Sequence, residues 1–117
     1  MRYLMFVATD PENVSEPSLE GTLPIEDWCD KYDASGARVT GERVRPAQDA
    51  TTVRRRGGKL LVTDGPFAES REWIVGFDIL DCADLDEAIA VAAEHPMAAQ
   101  GRLELRPYWP FEEPANG

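Results

Sequence analysis

The stretch Trp73-Ile74-Val75-Gly76-Phe77-Asp78-Ile79-Leu80 is apolar at both parities of a strand except at Asp78. A strand points successive side chains to opposite faces, so both faces of this one ask for burial. Arg2-Tyr3-Leu4-Met5-Phe6-Val7-Ala8 reads the same way, with Tyr3, Met5 and Val7 on one side and Leu4, Phe6 and Ala8 on the other. Two such strands belong at the centre of a sheet. Between and after them the sequence is more polar. Val39 to Arg45 is a polar strand that Pro46 ends, and Arg102-Leu103-Glu104-Leu105-Arg106-Pro107 alternates as an edge strand does, with Leu103 and Leu105 inward. Thr51 to Arg56 and Lys59 to Thr63 flank Gly57-Gly58 as a hairpin whose turn needs positive φ.

Two helices complete the pattern. Ile25, Trp28, Cys29 and Tyr32 recur at helical spacing between Pro24, which suits a first turn, and Gly36, which suits a left-handed stop. Asp84 looks like an N-cap with Glu87 three residues on, and Leu85, Ala88, Ile89, Ala92 and Ala93 carry the apolar face of a second helix that His95-Pro96 closes. The order strand, helix, strand with hairpin, strand, helix, strand matches a ferredoxin-like α+β unit over residues 1–107, followed by a proline- and aromatic-rich tail over 108–117. Two helices cover one face of such a sheet. The other face, apolar in both inner strands, needs a cover, and a second copy of the chain supplies one as a homodimer forming an α/β barrel; a folded-back tail is the alternative.

With 117 residues the chain is the size of one domain. Its 22 acidic against 12 basic residues give a net charge of −10, which repels phosphate backbones and anionic lipid, so neither nucleic acid nor a membrane is an expected partner. The run from Tyr3 to Ala8 is far shorter than the ~20 residues that span a bilayer. The expected location is the cytoplasm. Cys29 and Cys82 lack the spacing of a metal motif or a disulfide framework, so no metal and no cofactor is expected. Arg54, Arg55 and Arg56 point alternately to opposite sides of a strand and cannot form one phosphate track; they read as a solvated arm that can pair with acids of a partner subunit.

The densest candidate for function is Asp64-Gly65-Pro66-Phe67-Ala68-Glu69-Ser70-Arg71-Glu72, directly before an inner strand. It also reads as a capped proline turn with solvated charges. This run, the Gly76-Phe77 pair, the helix from Asp84 to Glu94 with His95-Pro96, and Glu104-Leu105-Arg106-Pro107 together resemble the YCII-related proteins of the DGPF subgroup. The resemblance extends from Tyr3 to Pro107. It implies a dimeric α/β-barrel fold and a frequent genomic neighbourhood with extracytoplasmic-function sigma factors, and it implies no established reaction. The subgroup usually has lysine where Arg71 stands and a smaller aliphatic residue at Trp73. A related branch pairs a histidine on its first helix with an aspartate; the first helix here has none, so that dyad does not carry over.

Chain direction brings the loop from Thr9 to Leu23, the Asp64 turn and the His95-Pro96 turn toward one end of the sheet. The expected site is therefore a small-molecule pocket with Asp64 and His95 as its polar centre and Phe67, Glu69, Arg71, Glu72 and Trp73 as candidate ligand contacts. His95 has a second reading, as a surface histidine favoured by a helix C-terminus. The functional expectation is a small-molecule-binding or accessory protein, linked to sigma-factor regulation through the resemblance alone. A cofactor-independent lyase, isomerase or monooxygenase using Asp64 and His95 as an acid/base pair is the alternative, and a structural interaction module without a cavity is a third.

Overall fold

The computed structural model describes residues 1–10, 18–65 and 74–112. Its architecture is α+β. Four strands form one antiparallel sheet: β1 (Arg2–Ala8), β2 (Arg38–Arg43), β5 (Ile74–Asp81) and β6 (Arg102–Pro107), in the spatial order β2-β5-β1-β6. The two segments that are apolar at both parities are thus the two inner strands. The hairpin β3 (Thr51–Arg56) and β4 (Lys59–Asp64) forms a two-stranded sheet of its own, closed by Gly57 and Gly58 at φ 56° and 77°.

One face of the main sheet carries α1 (Ile25–Ser35) and α2 (Leu85–Ala93). Tyr3, Met5, Val7 and Leu80 from the inner strands pack there against Trp28 and Tyr32 of α1 and Ala88, Val91 and Ala92 of α2. Trp28, Met5 and Leu80 are fully buried, each contributing roughly 1.5–3 kcal/mol of transfer free energy. The Trp28 indole donates to the Val91 carbonyl at 2.9 Å, so burial of its one polar atom leaves nothing unsatisfied. On the opposite face Leu4, Phe6, Phe77 and Ile79 are only half-buried.

Both main helices start where the sequence provides a start. The Asp84 carboxylate accepts from the Glu87 amide at 2.9 Å while Glu87 reaches back to the Ala83 amide at 3.2 Å. Two short elements escape sequence reading: a 3₁₀ turn at Ala47–Asp49, and α3 (Met97–Gln100), which Pro96 opens directly after His95. The apolar periodicity that reveals a helix needs more than one turn, and neither element has it.

Candidate functional site

Antiparallel pairing decides which residues meet. Ala8 at the end of β1 pairs with Ile74 and Arg102 at the starts of β5 and β6, and Arg43 at the end of β2 pairs with Gly76. The start of α1 and the end of α2 come to this same end, where the Leu23 amide donates to the Glu94 carbonyl at 2.8 Å and Lys31 pairs with Glu94 at 2.8 Å. Between α1, the His95-Pro96 turn, α3 and strands β2 and β5 lies an open cleft of about 660 Å³. Ile25, Cys29, Val75 and Met97 supply apolar lining, and Arg38, Asp78 and His95 supply polar groups.

Asp78 is the carboxylate that interrupts the apolar inner strand, and it is 6% exposed. Arg38 Nε donates to its Oδ1 at 2.8 Å, while Arg38 Nη1 reaches the two oxygens of Asp33 at 2.9 and 3.2 Å and Nη2 the Gly41 carbonyl at 3.2 Å. Burial raises the Asp78 carboxyl above its ordinary value, an effect the Arg38 guanidinium only partly offsets. Room for the carboxylate comes from the facing position on β2: a Cβ on Gly41 would stand 2.0 Å from Asp78 Oδ1 and 2.7 Å from the Phe77 carbonyl oxygen. Burial likewise raises the Cys29 thiol, which therefore stays protonated at neutral pH.

His95 is 4% exposed. Its ring stands edge-on to Trp28 with centroids 4.7 Å apart, and its Nδ1 accepts the Met97 amide hydrogen at 3.0 Å. Burial, with the Arg38 charge adding to it, lowers its pKa from 6.5 to about 4. The reading of His95 as a surface histidine held charged by the helix end is therefore overturned: the side chain is enclosed and neutral.

Asp64 lies elsewhere. It ends β4, pairs in register with Thr51, and is exposed; the Gly65 amide bonds to the Ala50 carbonyl at 2.7 Å and Thr52 Oγ1 to the Gly65 carbonyl at 2.7 Å. These bonds hold the turn on the hairpin's own sheet. No hydrogen bond or ion pair joins Asp64 to His95, and Asp64 does not line the cleft. The two residues expected as one polar centre are not brought together. Phe67, Glu69, Arg71, Glu72 and Trp73 lie outside the described residues. The companions His95 has in the cleft, Arg38 and Asp78, are residues the sequence reading misses, although a lone acid inside an apolar inner strand is a signal for Asp78. Arg38 had no such signal, because its role depends on the pairing of β2 with β5. Among the described residues no group of three or more His, Cys, Asp or Glu side chains is placed to hold a metal ion, and no helix is long and apolar enough to cross a membrane.

Comparison with known proteins adds to this geometry. An uncharacterized protein of Rhizobium meliloti (strain 1021) is 40% identical over 90 residues, which cover 73% of each chain. The family model of the YCII-related domain matches residues 1–112, taking in the whole sheet, both main helices and every residue of the cleft. The chain belongs to the YCII-related family.

Proposed function

We propose that the protein is a small-molecule-binding protein of the cytoplasm, a ferredoxin-like protomer that pairs with a second copy as a dimeric α/β barrel and takes its ligand in the cleft beside His95. The observation that carries this reading is the combination, in one cleft, of apolar lining with a buried and neutral imidazole and a buried carboxylate–guanidinium pair. Buried polar groups gathered at an opening are an arrangement that a core has no need of and a ligand site does. Pairing of copies is supported by the half-buried Leu4, Phe6, Phe77 and Ile79 on the sheet face opposite α1 and α2. Two free thiols, Cys29 and Cys82, fit a reducing compartment. The Asp64-Gly65-Pro66-Phe67 run supports the DGPF subgroup, and an accessory role beside sigma factors rests on that resemblance.

A thermal-shift screen of the full chain against a metabolite panel tests the reading. Binding to the native state alone raises Tm in a concentration-dependent way. A hit is expected to lose its shift in Cys29→Phe, whose larger side chain fills the cleft from α1. A panel without a single saturable shift, or hits indifferent to a folded Cys29→Phe, refutes it.

A further inference from the structure

The binding reading leaves the ligand unspecified, and the surroundings of His95 narrow it. A backbone amide can only donate, so the bond from the Met97 amide to Nδ1 at 3.0 Å occupies the lone pair of that nitrogen. In the neutral ring the proton must then sit on Nε2. Among the described residues no group accepts from Nε2, and no side-chain nitrogen or oxygen there is both buried and without a partner, so Nε2 keeps contact with solvent. His95 lines the cleft and is 4% exposed, which makes the cleft the solvent that its Nε2 can meet. Trp28, edge-on at 4.7 Å, and the Met97 amide hold the ring from two directions, so the N–H is aimed in advance.

The other charged groups set the sign of what can enter. Among the described residues, Glu26 from α1, Glu42 and Arg43 with Arg38 from β2, and Asp78 from β5 line the same cleft, an excess of acid that Asp33 deepens by its bonds to Arg38 and that disfavours an anion. Arg38 is therefore a poor anchor for an anion, since two carboxylates already hold it. We infer that His95 serves the cleft as a fixed Nε2–H donor, and that the ligand is an uncharged, largely apolar molecule presenting a carbonyl-type oxygen to it. This rests on the cleft being a ligand site and adds the class of ligand. It also assigns His95 a role opposite to that of a general base, since the nitrogen facing the cleft already carries its proton.

The chain has a single histidine, so its ring nitrogens are read without assignment in ¹⁵N-histidine NMR of the full-length protein. At pH 7 the spectrum is expected to show the proton on Nε2. Acetophenone, an uncharged ketone with an apolar ring, is expected to shift the Nε2–H signal saturably; benzylamine and benzoate at the same concentrations are not. His95→Asn keeps an oxygen where Nδ1 accepts from Met97 but lacks the reach into the cleft, so it should bind acetophenone about tenfold more weakly, the worth of one hydrogen bond. A proton on Nδ1, a charged ring at pH 7, equal acetophenone affinity in His95→Asn, or no response to acetophenone overturns the inference. Preference for benzylamine or benzoate at the cleft also overturns it while leaving the site itself standing, whereas a metabolite panel that yields nothing as well removes both.

Discussion

His95 carries a measurable pH signature. Its pKa is 6.5 when unfolded and about 4 in the fold, so between these values the unfolded chain binds more protons than the native one. The stabilising contribution is complete above pH 6.5 and is lost as pH falls to about 4, amounting to about 3 kcal/mol. Asp78 works in the opposite sense: with its carboxyl raised by burial, stability declines as pH rises from the ordinary carboxylate value upward. Urea titrations of wild type and His95→Asn at several pH values separate the two. The difference between the proteins should grow from pH 4 to pH 6.5 and then level off, and a difference independent of pH would show that His95 is not held neutral by the fold. Gly41 gives a second test at single-residue resolution. The methyl of Gly41→Ala would collide with Asp78 Oδ1 and the Phe77 carbonyl, and the backbone oxygen cannot swing away. A loss of about 1–3 kcal/mol is expected in the denaturation midpoint, together with weakened ligand binding as the Asp78–Arg38 pair is displaced.

Secondary elements form here where local chemistry and burial agree. In α2 the cap formed by Asp84 and Glu87 specifies the start, and Ala88, Val91 and Ala92 turn inward. Asp84→Ala should cost about 1 kcal/mol, read from thermal or urea unfolding, with the cleft still able to bind; a cost near zero would mean that packing rather than the cap sets this helix end. The β3–β4 hairpin is a different case. Its Gly57-Gly58 turn is correct for a right-twisted pair, but Val53, Leu60 and Val62 remain 62%, 58% and 56% exposed, and a two-stranded sheet is marginal without further packing. In native-state hydrogen exchange its amides should open well before those of β1 and β5 in the protomer; equal protection would require something to cover the arm. The arm also accounts for Asp64, which follows the hairpin's register to Thr51 instead of the main sheet's edge.

For the molecule as a whole the decisive asymmetry is between the two faces of the main sheet. Tyr3, Met5, Val7 and Leu80 are buried beneath helices, and Leu4, Phe6, Phe77 and Ile79 are not. If a second copy covers them, sedimentation equilibrium at micromolar concentration will give a dimer for wild type and a folded monomer for Phe6→Glu, because a carboxylate facing its own symmetry mate cannot be desolvated without a partner. A wild-type monomer would refute pairing. The helical spacing of Trp28 and Tyr32, the Asp84 cap, the Gly57-Gly58 turn and the double-faced apolarity of residues 3–8 and 74–80 are all local signals, and they suffice to name the six strands and two main helices and to place two strands at the centre of an α+β sheet. The site was less legible because it is made of distant residues. His95 and the end at which it sits followed from chain direction, but its neutrality comes from enclosure by Trp28 and α3, and its companions Arg38 and Asp78 are joined across forty positions of sequence by the pairing of β2 with β5. Periodicity reports which side of an element avoids water; which polar atom meets which depends on strand register and on where a hairpin leaves the sheet, and those are settled only when the whole chain packs.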